Sequence, residues 1–123
     1  MEFILPDSIL EKEIHPLQEI FSTATLVKSA KKVVKGLGIQ IPGAPKGMRF
    51  VKMKLTSVHG SGRVLFLVQV ENSYLLPLLL RDKKDKVGIN MSPRNSAFLK
   101  EVEKNLDHAL NDIEKGKFEI LQL

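Results

Sequence analysis

Apolar positions along this chain change their spacing from helical to alternating and back to helical, and those changes divide it into elements. Residues 1–5 form a short apolar stretch that reads as a strand, ended by Pro6, Asp7 and Ser8. Asp7 or Ser8 is the expected helix cap, and Glu11, three residues after Ser8, completes a capping box. Ile9, Leu10, Ile14, Leu17, Ile20 and Phe21 then recur at helical spacing, while Pro16 predicts a kink or break near His15. A second helix is expected to start within residues 22–25 and to stop at residues 36–38, where two glycines stand. Its apolar side is Leu26, Ala30, Val33, Val34 and Leu37. Residues 39–47 contain Pro42, Gly43, Pro45 and Gly47 and read as a loop.

From Met48 the period becomes two. Val51, Met53 and Leu55 alternate with Lys52 and Lys54, which predicts a strand with one core face and one basic face. Residues 59–62 form a turn, and residues 63–70 a second strand. After a turn at residues 71–73, residues 74–80 are apolar on both faces, as in a central strand. Pro77 lacks a ladder donor, so a bulge is expected there. Residues 81–86 form a charged exit from the sheet. Ser92 or Asn95 then opens a helix to about Lys115, with Leu99, Val102, Leu106, Leu110 and Ile113 as its apolar stripe. Residues 117–123 read as a last extended segment able to pair with a sheet edge. The order is β-α-α-β-β-β-α, an α+β fold in a single domain spanning residues 1–123.

Composition narrows the function classes. With 43% hydrophobic and 27% charged residues, the chain suits one globular domain with a modest core. It has no cysteine, which excludes disulfides, zinc–thiolate and iron–sulfur sites, and a cysteine nucleophile. The N-terminus lacks a basic region before an apolar run, so no secretory signal is read. Residues 64–68 and 74–80 are far shorter than the roughly 20 residues that span a bilayer. A cytoplasmic domain without membrane contact is the expectation.

The net charge of +5 hides a stronger asymmetry. Residues 20–70 carry Lys28, Lys31, Lys32, Lys35, Lys46, Arg49, Lys52, Lys54 and Arg63, and no acid. Residues 1–19 carry five acids against Lys12 alone. Lys28, Lys31, Lys32 and Lys35 fall on one helical stripe. Lysine and arginine bind polyanions because neutralised phosphates release their condensed counterions. If the lysine helix and the basic strand lie side by side, they make a concave basic groove. The bland alternative for the helix stripe is an ordinary solvated face. That alternative is weaker for Lys52 and Lys54, which repel each other on one strand face.

Other motifs are missing. Gly36-Leu37-Gly38 lacks a third glycine and follows a helix, and Gly60-Ser61-Gly62-Arg63 lacks the lysine end of a phosphate loop. His15, His59 and His108 have no metal-ligand spacing, and Ser61 beside His59 reads as turn chemistry rather than a nucleophile–base pair. No metal and no cofactor are expected.

The segment Arg49-Phe50-Val51-Lys52-Met53-Lys54-Leu55, a turn, and Gly62-Arg63-Val64-Leu65-Phe66 resembles the RelE/ParE superfamily of bacterial toxins. Those proteins show Lys-x-Lys-Leu on one strand, then arginine leading an apolar strand. The exit Arg81-Asp82-Lys83-Lys84-Asp85-Lys86 before the last helix also fits. The resemblance spans residues 46–86 by motif, and the N-terminal helices match in order and size only. It implies a small antiparallel sheet packed on two N-terminal helices. It also implies one of two activities. RelE-like members cut messenger RNA in the ribosomal A site, whereas ParE-like members inhibit DNA gyrase without cutting. Both kinds are neutralised by a cognate antitoxin protein. A plain nucleic-acid-binding domain would use the same basic surface without catalysis.

For the ribonuclease, the resemblance puts base and phosphate-stabilising roles on Lys52 and Lys54, and the scissile phosphate on Arg63. Lys83 matches a later basic residue that acts as acid or stabiliser. A lysine crowded by other cations has its ammonium form disfavoured, which suits a general base. Lys28, Lys31, Lys32, Lys35, Lys46, Arg49, Arg81 and Lys84 are candidates for holding the nucleic acid. The chain departs from the family where some members carry a tyrosine or histidine after the last strand. Residues 87–91 offer neither, Tyr74 begins a strand, and His59 in the turn is the candidate substitute.

Overall fold

The computed structural model describes residues 1–85 and 91–123. Lys86, and residues 87–90 of the stretch expected to lack a tyrosine or histidine, lie outside the described residues. Strand β1 (Glu2–Pro6) leads into α1 (Asp7–Ile9), a π-type turn (Leu10–Ile14) and a 3₁₀ turn (His15–Leu17). Helix α2 (Thr23–Val34) follows, then β2 (Ile39–Ile41), β3 (Met48–Ser57), β4 (Gly60–Gln69) and β5 (Tyr74–Asp82). Helix α3 (Ser96–Glu114) and β6 (Phe118–Gln122) complete the chain. The fold is α+β, with six strands in the order β2-β3-β4-β5-β1-β6. Every neighbouring pair is antiparallel except β1 and β5, which run parallel.

The sheet expected to pack on two N-terminal helices has them on opposite faces. Residues 7–17 pack with α3 on one face, and α2 covers the other. Pro16 breaks the first helical run as its missing N–H demands, so only short irregular turns form before α2. The chain then rounds the end of the sheet, where the Ser57 hydroxyl donates to the Ile20 carbonyl at 2.6 Å. Phe21 lies against Gly62, where a Cβ would fall 2.8 Å from the ring and 2.2 Å from the Arg81 carbonyl. No side chain larger than hydrogen fits that crossing.

Both faces of the central strands are covered, which explains their unbroken apolar runs. Val64, Leu65, Phe66, Leu67 and Val68 are all buried, as are Leu75, Leu76, Leu78, Leu79 and Leu80. Phe3 meets Phe66 edge to face at 6.2 Å between ring centroids. The expected bulge is present, since Phe66 pairs with Pro77 while Leu65 pairs with Leu79. Leu78 is the extra residue, and Asn105 of α3, fully buried, donates its amide to the Leu78 carbonyl at 2.8 Å.

Other expectations need amendment. Residues 39–47 are not all loop, because β2 pairs with β3 through Ile39↔Lys52 and Ile41↔Phe50. The capping box at Ser8 does not form. The Ser8 amide is instead taken by the Asp112 carboxylate at 2.8 Å, a partner 104 residues away. The α3 core line is Phe98, Val102, Asn105, Ala109 and Asp112, with Leu99 left 46% exposed. The stripe turns because Asn105 and Asp112 have backbone partners inside the fold, which offset the cost of burying them. Val34 and Leu37 likewise lie exposed beyond the buried line of Leu26, Ala30 and Val33. The second helix starts within the expected residues 22–25, capped by Ser22, Asn95 rather than Ser92 caps α3, and residues 118–122 pair with β1 as the last extended segment. No helix among the described residues is long and apolar enough to cross a membrane.

Candidate functional site

Strand parity sorts the basic residues. Along β3 and β4, Lys54 stands opposite Arg63, and Lys52 stands opposite Leu65. All three cations therefore share the face that carries α3, one step apart along the sheet. Arg63 is also opposite Arg81 of β5, so a row of three cations crosses three strands. Like charges directly opposite destabilise a sheet, and this row needs a counterweight. The buried Glu13 carboxylate provides it for Arg81. One Glu13 oxygen accepts from the Arg81 guanidinium and from the Leu80 amide at 2.9 Å. Glu101 and Asp85 add ion pairs to Arg81 at 3.6 and 3.8 Å.

Arg81, expected to hold nucleic acid, is thus tied into an internal ion-pair cluster. Lys12 extends that cluster, donating to Glu101 at 3.0 Å and to Asn105 at 2.8 Å. The hydrogen bond from Lys12 holds the Glu101 carboxyl below the usual carboxylate range, against a partial burial that pushes it up. Sequence reading missed Glu13, because one acid among several N-terminal acids carries no signal of burial.

Lys54, Arg63 and Lys83 line one cleft of about 240 Å³, together with Leu55, Thr56, Ser61 and Gly62. Lys83 reaches it because its amide donates to the Ser61 carbonyl at 2.9 Å, which carries the ladder one residue beyond β5. A second cleft of about 280 Å³ shares Lys54 and Arg63 and adds Ile39, Lys52 and Met53. A third, of about 260 Å³, shares Ser61 and Lys83 and adds His59, Lys84, Asp82, Gly60 and Ile20. The first two clefts, which share Lys54 and Arg63, form one tract on this face, and the third meets the first at Ser61 and Lys83 beside the hairpin turn.

Among the described residues, no carboxylate lines either of the first two clefts. Asp82, in the third, is engaged locally, its Oδ1 accepting from the Lys84 and Asp85 amides at 2.9 and 3.2 Å. The Lys52 ammonium lies 3.5 Å from the Met91 carbonyl, at the limit of hydrogen bonding. The structure therefore brings Lys52, Lys54, Arg63 and Lys83 together, with His59 and Lys84 adjoining.

The remaining candidates lie elsewhere. Lys28, Lys31, Lys32 and Lys35 are exposed on α2, across the sheet from Lys54, so the helix and strand do not form one groove. Lys46 and Arg49 sit at the opposite end of β3 from Lys54. Tyr74 is buried at the far end of β5, roughly 25 Å of strand from the tract, and burial pushes its hydroxyl pKa up. Among the described residues, no aromatic ring lines the tract, the His59 imidazole standing in the adjoining cleft, and no cluster of three potential metal ligands occurs. Ile39, Met53, Thr56 and Ser61 are wall residues that periodicity alone does not mark as functional.

What the arrangement can do chemically is bind a phosphodiester and stabilise added negative charge on it. Comparison with protein-family models, with curated proteins and with solved structures finds no match to this chain.

Proposed function

We propose that this protein is a RelE-like toxin, an endoribonuclease that cuts messenger RNA on the ribosome and is restrained by a cognate antitoxin. The observation that carries the reading is the directly opposed pair Lys54 and Arg63, flanked by Lys52 and Lys83 in clefts that no carboxylate lines among the described residues. RNA supplies its own nucleophile. As the 2′-oxygen bonds to the adjacent phosphorus, its proton passes to Lys52 acting as base, while Lys54 stays charged beside the phosphate. The bond from phosphorus to the 5′-oxygen then breaks, leaving a 2′,3′-cyclic phosphate and a 5′-hydroxyl. Arg63 holds the phosphate through its planar donors and stabilises the charge of the five-coordinate phosphorus. Lys83 supplies the leaving oxygen with a proton or a compensating charge.

The test is induction in bacteria of the natural chain beside a Lys52→Ala, Lys54→Ala, Arg63→Ala variant shown to be folded by circular dichroism. Growth arrest with codon-positioned RNA ends, absent in the variant, is the expected result. A folded variant that stays fully toxic overturns the assignment. A second reading is a binding protein of the same architecture, acting on nucleic acid or on DNA gyrase without cutting. It is favoured by the lack of a histidine or aromatic wall in the central cleft among the described residues. DNA breaks and an SOS response in place of RNA cuts would select it.

A further inference from the structure

The cleft beside Lys52 differs in kind from the other two. Its walls combine three cations with Ile39, which is 60% exposed, while the Met53 side chain turns to the other face of β3 beside Val51 and Gly38. Strand register puts Ile39 directly opposite Lys52, on the same face as Lys54 and Arg63. Ile39 is thus a large exposed apolar side chain set among three cations.

The position of Ile39 is set by its neighbour. Gly38 has φ +102°, and a Cβ there would fall 2.6 Å from both Met53 Sδ and Val51 Cγ1. Only glycine lets the chain settle so closely on β3 just before β2 begins, so Ile39 is presented by a fixed backbone. At about 280 Å³ the cleft falls just short of the roughly 300 Å³ at which ligand sites begin.

We infer that this cleft receives one nucleobase of a single-stranded RNA, against Ile39, with the adjoining phosphate on Lys54 and Arg63. The inference rests on the function proposed above and names the part of the substrate that the Ile39 wall reads. Single-strand binding sites combine cations that follow the backbone with side chains that cover the base faces, most often aromatic, and here the exposed Ile39 takes that place. Here both occur in one cleft, and the shared walls Lys54 and Arg63 keep base and phosphate within one nucleotide. An aliphatic wall rewards area, so a purine is favoured over a pyrimidine.

The test measures binding of an adenosine pentaribonucleotide to the full chain by fluorescence anisotropy. Companion pentamers lack one base at each position in turn. Ile39→Thr retains branching at Cβ for the edge strand, and Ile39→Tyr enlarges the apolar surface. In the natural protein, removing one particular base is expected to weaken binding about tenfold. Ile39→Thr should weaken the intact pentamer by a similar factor, after which removing that base changes nothing further. Ile39→Tyr should tighten the intact strand severalfold. Two losses that multiply to about a hundredfold would mean that base and Ile39 never meet, and would overturn the inference. So would an Ile39→Thr protein that binds every pentamer as the natural one does. Lys54→Ala with Arg63→Ala separates the two levels. Normal pentamer binding by that variant overturns the polyanion reading itself, whereas lost binding with an inert Ile39 overturns the base site alone.

Discussion

Lys54 and Arg63 occupy opposed positions on β3 and β4, so two cations form one cross-strand pair on an otherwise well-packed sheet. Opposed like charges cost a sheet stability, and opposed unlike charges contribute roughly 0.2–1 kcal/mol. Substituting Lys54→Glu should therefore raise the melting temperature by a few degrees, which a calorimetric scan would register. The same variant should lose RNA binding and cleavage. A fall in stability would show that the pair does not strain the sheet.

Removing single members of the site should act on rate. Arg63→Ala and Lys54→Ala are each expected to lower RNA cleavage about 10²- to 10³-fold, the usual loss for a charge that stabilises a transition state. Lys83→Ala should cost less if it supplies compensating charge only. Cleavage assays at saturating RNA give these factors directly. Cleavage by the natural chain should persist in EDTA, and loss there would refute side chains as the source of charge stabilisation.

Helix α2 stands on the other face of the sheet, which separates two basic surfaces that lie close in sequence. A variant with Lys28, Lys31, Lys32 and Lys35 all changed to Gln should bind a short oligoribonucleotide as tightly as the natural chain does. The slope of binding against salt for that oligonucleotide should also be unchanged, whereas Lys54→Ala should reduce it by about 0.7, one phosphate contact. Equal effects from the two variants would put both surfaces on the same stretch of RNA.

Asn105 bridges the Leu78 carbonyl and the Lys12 ammonium from a fully buried position. Asn105→Ala strands the carbonyl of the bulge, and a buried group left unpaired costs about 1–3 kcal/mol. The expected loss is about 2 kcal/mol, measured by urea unfolding with an unchanged slope.

The acid response follows from two carboxylates. Burial pushes Asp112 up, but hydrogen bonding from Ser8, aided by Lys117 and His108, outweighs it and holds Asp112 below its ordinary value of 3.8. Glu101 is held below 4.5 by Lys12. A depressed folded pKa gives stability that is full above the unfolded value and is lost as pH falls through the folded one. The melting-temperature gap between the natural chain and Asp112→Asn should thus be widest near neutrality and shrink below about pH 4. A gap independent of pH would remove Asp112 from the acid transition.

The α+β class, the β3–β4–β5 meander, the bulge at Pro77 and the starts of α2 and α3 were legible in the chain. Each depends on residues within a few positions of one another, where spacing, proline geometry and capping act locally. So was the basic pair on β3, because alternation alone separates Lys52 and Lys54 from Val51 and Met53. Arg63 joined them through the short hairpin, whose register follows from its length.

Tertiary structure decided what distance along the chain conceals. Asp112 replaced the local cap at Ser8, Glu13 claimed Arg81, and Asn105 turned the face of α3 inward, each through a partner at least 27 residues away. Periodicity ranks residues by polarity, so it sends such groups outward until a buried partner is known. It also cannot say on which side of a sheet a helix will lie. The crossing at Gly62 set α2 apart from the basic face, and β2 brought Ile39 beside Lys52. The carboxylate-free run of sequence thus became two surfaces, because a sheet buried on both sides must send its helices to opposite faces.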